Sequence, residues 1–249
     1  MARGLCRTHG TKPLTTEAAR TLAPPEGLLL VDKPGGITSH DVVQLARKAY
    51  HERSIGHLGT LDPFATGLLI LLLGRATRLA TFIVTEPKVY DATIRFGAET
   101  DTDDRTGTVT RECSAPLRAD VERGIDSLTG RISQVPPAYS AKSVDGTRAY
   151  DAARKGEPLD LPPVEVDVSS WAVRAWREEE VDVTITCGSG TYIRALARDL
   201  GRLTGSCAHL TALRRTRAGD FRIEDAVPAG QLSQNPPSLK HLRVIASDD

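Results

Sequence analysis

The spacing of apolar residues changes period several times along this chain, and the changes outline its elements. Leu28 to Val31 is a short apolar run that predicts a buried strand. Ser39 precedes a helical pattern reaching about Tyr50 and is the expected N-cap. Gly67 to Leu73 reads as a second buried strand with glycines at both ends, and a helix is expected from Arg75. Val89 to Phe96 alternates at period two, with Tyr90 on one face. A helix centred near Val121 to Leu128 leads to a strand at Gly130 to Gln134. Val164 to Cys187 supplies further strands, with Glu178, Glu179 and Glu180 at a hairpin tip. Ile193, Leu196, Ala197, Leu200 and Leu203 share one face of a last helix, while Arg194, Arg198 and Arg202 recur every four residues on another.

Three stretches fall outside this rhythm. Met1 to Glu26 lacks periodicity and is expected to be a mobile arm. Val135 to Gly156 mixes Pro, Gly and charge, and Pro228 to Asp249 is short and rich in Pro, Ser and Asn. With 249 residues, 40% hydrophobic and 26% charged, the composition is that of a soluble globular chain. The longest apolar run is too short for a bilayer, and no secretory signal is legible, so a cytoplasmic protein is expected. Cys6, Cys113, Cys187 and Cys207 form no regular framework, which favours reduced thiols.

Charge adds little in total and more in its distribution. The formal net charge is zero, yet Arg194, Arg198, Arg202, Arg214, Arg215 and Arg217 crowd one stretch. Acidic residues gather elsewhere, in Glu99 to Asp104 and Glu178 to Asp182. A basic face able to meet phosphates is therefore expected, against the alternative of a solvated helix side. Asp101 to Asp104 with Glu112 suggests a calcium loop only superficially, since Arg105 and Thr106 occupy required positions. The six histidines show no zinc spacing, so no metal is expected.

The segment richest in chemistry runs from Gly56 through His57, Gly59 and Asp62-Pro63 to Gly67. Glycines and a proline constrain the loop, and the apolar strand anchors it, so Asp62 is held at a defined point. That suits an acid, base or nucleophile. Leu-Asp-Pro also starts ordinary turns, and the segment alone leaves both readings open.

The full pattern G-H-L-G-T-L-D-P-F-A-T-G-L resembles the catalytic motif of the bacterial TruB-type tRNA pseudouridine synthases. The resemblance extends to Asp32-Lys33-Pro34-Gly35-Gly36-Ile37-Thr38-Ser39, to Gly74-Arg75-Ala76-Thr77-Arg78, to Lys88-Val89-Tyr90 and to Gly190-Thr191-Tyr192-Ile193-Arg194. Five elements in the family's order cover roughly Gly27 to Val227.

That resemblance implies an α+β fold with a mixed, mostly antiparallel central sheet flanked by helices and loops. It implies a catalytic domain at 27–227 with an RNA-clamping insertion at about 135–156, and a 228–249 tail too short for the PUA domain that many members carry. The implied reaction detaches a uridine from its ribose, rotates the base and rejoins it through C5, at position 55 in the T-loop of tRNA. Substrate and product are isomers, so no cofactor is implied. Asp62 matches the catalytic aspartate, Arg194 its partner, and Tyr90 the aromatic that stacks on the flipped uracil and assists loss of the C5 proton. Tyr192 would line the pocket, His57 would enter the space left by the uridine, and Lys33 would support the loop beneath. Arg198 and Arg202 would meet the RNA. The expected partner is the tRNA T-arm, bound by a monomer without an obligate protein partner. Asp91 departs from the family, which often has a basic residue there. Competing readings are a tRNA-remodelling protein without chemistry, an enzyme acting on guided RNA, and a glycosidase, for which no convincing second carboxylate is visible.

Overall fold

A computed structural model describes residues 25–140, 142–144, 146–157, 159–234 and 236–239. The expected arm, apart from Pro25 and Glu26, lies outside the described residues. The chain begins with strand β1 (Gly27–Lys33), helix α1 (Ser39–Tyr50), β2 (Ile55–Leu58) and β3 (Thr66–Leu73). After β4 (Lys88–Phe96), a small hairpin of β5 (Ala98–Thr100) and β6 (Val109–Glu112) precedes α2 (Arg118–Ser127) and β7 (Gly130–Gln134). The 135–156 segment folds as a hairpin, β8 (Ser143–Val144) and β9 (Thr147–Arg148), running into α3 (Ala149–Arg154). Then come β10 (Val164–Trp176), β11 (Glu180–Cys187), α4 (Ile193–Leu203), β12 (Ala208–Ala218), β13 (Phe221–Arg222) and β14 (Val227–Pro228).

Ten strands form one sheet whose main path is β14-β1-β3-β12-β4-β11-β10-β7. Only β1–β14 and β3–β12 run parallel; the other pairs are antiparallel, as the resemblance implied. The apolar block of β3 is explained by cover on both faces. Leu69, Leu71 and Leu73 pack with Val42 and Val43 of α1, whereas Leu68, Ile70 and Leu72 pack with Ala76 and Ala218. In β4, Tyr90, Ala92, Ile94 and Phe96 enter the core with Leu196 and Leu200 of α4, and the intervening Asp91 and Arg95 are exposed. The β3–β12 junction requires a glycine. A Cβ on Gly67 would lie 2.3 Å from the Arg215 carbonyl oxygen, and its φ is +105°.

Three local expectations are corrected. The α1 N-cap is Thr38, whose side chain accepts from Asp41 N while Asp41 accepts from Thr38 N, a capping box. Ser39 is instead buried, its Oγ accepting from Leu61 N and donating to Leu61 O. The helix expected from Arg75 is a single 3₁₀ stretch, Gly74–Leu79. Finally, Cys113 and Cys207 are joined in a disulfide, against the expectation of reduced thiols. Their separation of 94 residues hid the pairing, but Gly97 donates to Cys207 O and accepts from Cys113 N, bringing the two Cα atoms to 5.6 Å. Cys187 is free and buried. Beyond β14 the chain turns back over α1, burying Ala229 and Leu232 in the α1–β3 cluster. No helix among the described residues is long and apolar enough to cross a membrane.

Candidate active site

Asp62 sits in the loop between β2 and β3, and backbone clamps from three directions set its place. Leu61 N donates to Ser39 Oγ at 2.9 Å, Gly36 N donates to Pro63 O at 2.8 Å, and Arg215 Nη2 donates to Gly59 O at 2.9 Å. Lys33, fully buried, donates from Nζ to Pro34 O, Ile37 O and Pro63 O at 2.9, 2.7 and 3.3 Å. One ammonium thus ties the D-K-P turn to the loop carrying Asp62.

Burial pushes the Lys33 ammonium down to about 8 from 10.5, opposed by the charges of Asp62 and Asp41. The unfolded chain therefore binds this proton more tightly than the folded one. Between pH about 8 and 10.5, rising pH should favour folding through Lys33. In thermal melts against pH, wild type should gain stability relative to Lys33→Met across that window. A flat or falling difference would contradict this.

The carboxylate of Asp62 meets Arg194, the second residue of α4, in a two-pronged pair. Arg194 Nε donates to Oδ2 at 2.9 Å and Nη2 to Oδ1 at 3.0 Å. Two more of its donors are committed: Nη1 to Thr102 O at 2.8 Å and Nη2 to Tyr139 O at 2.9 Å. Asp104 lies 3.9 Å from Nε. The Arg194 side chain is 4% exposed while that of Asp62 is 34% exposed, so solvent or substrate reaches the acid but not its partner.

The predicted open arginine stripe is instead a row of ion pairs. Arg198 is buried, donating to Asp103 at 3.1 Å, Asp199 at 2.9 Å and Val135 O at 2.8 Å. Arg202 forks onto Glu99, and Arg214 of β12 onto Asp32. The acidic segment Glu99 to Asp104, read in the sequence as lying elsewhere, passes beside β12 and neutralises this row. Burial pushes the Asp103 carboxyl up to about 6, against the pull of Arg198. Among the described residues, no group of acids and histidines is arranged to hold a metal ion.

Of three further predicted residues, Tyr90 and Tyr192 feel the charge of Asp62, whereas His57 stands apart on β2. Tyr90, on β4, is 7% exposed, and burial raises its phenol above the usual value. Tyr192 caps α4 and is half-buried; Gln134 pins its backbone by accepting from its N at 2.9 Å and donating to its O at 3.1 Å. His57 lies on β2, not in a loop, opposite Leu71 of β3. Its Nδ1 is buried without a partner, and burial, Arg215 and His40 hold the imidazole below its usual pKa. Asp91 accepts from Thr184 at 2.7 Å on the outer face of the sheet, away from Tyr90, so the family departure there leaves this cluster unchanged.

Residue reasoning missed Gln134, the carbonyls of Thr102 and Tyr139, and Arg215. Gln134 and Arg215 are buried polar groups whose sequence neighbours are unremarkable, and the carbonyls carry no side-chain signal. Only the double arginine of Leu213-Arg214-Arg215 on a strand hinted at something, since a charge pointing into the core needs a partner.

Two family models match the chain over consecutive segments. The model of the TruB family pseudouridylate synthase N-terminal domain matches residues 47–193, and that of the tRNA pseudouridylate synthase B C-terminal domain matches 194–239. The chain belongs to the TruB family. The Asp62–Arg194 pair joins the two matched segments, with Arg194 the first residue of the second. The tRNA pseudouridine synthase B of Corynebacterium efficiens is 49% identical over 215 residues, which is 84% of this chain and 72% of that protein. Its namesake in Mycobacteroides abscessus is 49% identical over 207 residues, 80% of this chain and 70% of the relative. Among solved structures, a Cbf5-Nop10-Gar1 complex aligns with TM-score 0.66 and 26% identity over 83% of this chain and 53% of its own. An H/ACA ribonucleoprotein bound to a substrate RNA containing 2′-deoxyuridine aligns with TM-score 0.63 and 25% identity, covering 83% and 52%. The TruB-family chain described here thus spans about half the length of those solved chains.

Proposed function

We propose that this TruB-family protein converts uridine to pseudouridine at position 55 in the T-loop of tRNA, with Asp62 as the nucleophile. The observation that carries the reading is the buried, two-pronged Asp62–Arg194 pair whose acid alone is open to substrate. A carboxylate so held is aimed without being sealed off. The names of the relatives, which covered 70% or more of their length, point to tRNA as substrate.

A base stacked inside a folded T-arm is out of reach of Asp62, so the uridine must leave the stack. Flipping costs on the order of a few kcal/mol. Stacking on Tyr90 would return roughly 1–3 kcal/mol. His57, uncharged and beside the loop, is the group to fill the vacated space, and Tyr192 closes the pocket from the α4 side. Tyr90 is mostly covered in the free protein, so its neighbours must part when uracil enters. The root of the 135–156 insertion offers a handle, because Val135 O and Tyr139 O are held by Arg198 and Arg194. Arg198 and Arg202, spent on Asp103 and Glu99, are read as holding this scaffold in place of gripping phosphate.

The test is tritium release from a T-arm stem-loop transcript carrying 5-tritiated uridine, since C5 must lose its hydrogen to bond ribose. Release from the position-55 uridine, by the protein alone, is expected. Tight binding without release would support a remodelling protein, and release only with an added guide RNA would place the substrate elsewhere.

A further inference from the structure

Arg215 is 1% exposed, yet its hydrogen bonds go to neutral groups: Nε donates to Leu68 O at 2.8 Å and Nη2 to Gly59 O at 2.9 Å. Arg194, Arg198, Arg202, Arg214 and Arg217 each have a carboxylate; among the described residues Arg215 has none within ion-pair distance. A buried cation without a counter-charge is costly, and packing alone would favour an apolar side chain here. What the charge faces is informative. Arg215 stands directly opposite Tyr90 in the β4–β12 pair, and its charge acts on the phenol against the larger effect of burial. It also pushes the Lys88 ammonium and the His57 imidazole down, after burial in both cases. The floor of the site is therefore a fixed positive centre that repels other cations and offsets part of the cost that burial sets on an anion at Tyr90.

We propose that Arg215 is a positioning residue for loss of the C5 proton: from beneath the catalytic loop it orients the Tyr90 phenol oxygen toward the flipped base and stabilises its phenolate. The inference rests on the pseudouridine synthase reading above. Once C5 has bonded to ribose, the C5–H bond breaks and the proton passes to the phenolate oxygen. The electron pair left behind restores the ring double bond between C5 and C6, N1 takes a proton from water, and the phenol returns its own to water. No oxidant or cofactor enters. Three charged or titratable groups face the Tyr90 phenol. Arg215 of β12 favours its ionisation, while Cys187 of β11 and Asp62 of the catalytic loop oppose it along with burial. Burial keeps the Cys187 thiol protonated, pushed up to about 11, which leaves Arg215 and Asp62 as the formal charges.

The experiment compares wild type, Arg215→Lys, Arg215→Gln, Tyr90→Phe and the Arg215→Lys/Tyr90→Phe double variant. Single-turnover tritium release is followed against pH, with KM and melting temperature measured alongside. Arg215→Lys should slow release by about 10- to 100-fold, less than the roughly 10²- to 10⁴-fold contribution of a general base, because Tyr90 itself remains. KM should move little, and the rate should keep climbing at alkaline pH where wild type has levelled. In the Tyr90→Phe background the same change should cost little more, because both act on one step. Ultraviolet titration of the free protein gives a readout that needs no substrate. The ionisation missing from Tyr90→Phe should move to higher pH in Arg215→Gln. Losses that multiply independently, or an unmoved Tyr90 titration, would overturn the proposal. Variants that do not fold would overturn it too, by making Arg215 structural. If wild type released no tritium but the titration moved, the assigned reaction would fail while the Arg215–Tyr90 coupling stood.

Discussion

Asp62→Asn is expected to give a folded protein that binds the T-arm and releases tritium at least about 10³-fold more slowly than wild type, the scale of losing a covalent nucleophile. The loop keeps its place, because the clamps on it come from Ser39, Lys33, Gly36 and Arg215 and none uses the carboxylate. Asparagine preserves the volume and one acceptor toward Arg194, but its amide nitrogen faces a second donor and its charge is gone. Binding unchanged with release abolished separates chemistry from RNA remodelling. Release within about tenfold of wild type would sink Asp62 as nucleophile, since an essential nucleophile cannot be replaced at so small a cost.

Arg194→Met should damage both stability and activity. It removes four hydrogen bonds at once and strands the Thr102 and Tyr139 carbonyls as well as the Asp62 carboxylate. Breaking a buried ion pair from one side typically costs about 3–5 kcal/mol, and that loss is expected in denaturant melts. Activity should fall by about 10²- to 10³-fold even where the variant is fully folded, because the carboxylate loses its fixed aim. Arg194→Lys separates the two effects. A lysine keeps the charge but has no fork, so it cannot hold both Asp62 oxygens and the two carbonyls together. It should recover much of the stability and little of the rate. A lysine variant with wild-type kinetics would show that orientation by Arg194 is not needed.

The match between sequence and structure is uneven for reasons visible in particular residues. The β4 alternation was legible because a strand with one buried face writes its period directly into the chain. Strand β2 was not, since Ile55–Leu58 lies inside a glycine-rich motif that reads as loop; its strand character comes from pairing with β3. The Thr38 cap was displaced by one residue because Ser39 has the same chemistry, and only the depth of Leu61 shows why Ser39 turns inward. Asp62, Tyr90 and Arg194 could be named from motifs, whereas the fate of Arg198 and Arg202 could not. Helical spacing put them on one stripe, but whether water or Glu99 to Asp104 meets that stripe depends on a segment some 100 residues away. The Cys113–Cys207 pairing was hidden in the same way, by distance along the chain.

The sequence by itself determined the family, many of the strands and helices, and the constrained loop on which Asp62 sits. Those follow from local rules: periodicity, glycine and proline in turns, and a motif of fixed spacing. Tertiary structure alone decided which charges remain available. By folding the acidic segment against α4 it consumed Arg198 and Arg202, left Asp62 open at the end of a buried fork, and left Arg215 as a cation without an acid. The physical reason is that a charge's availability depends on burial and on what stands within a few ångströms of it, and both are set by contacts between residues far apart in the chain.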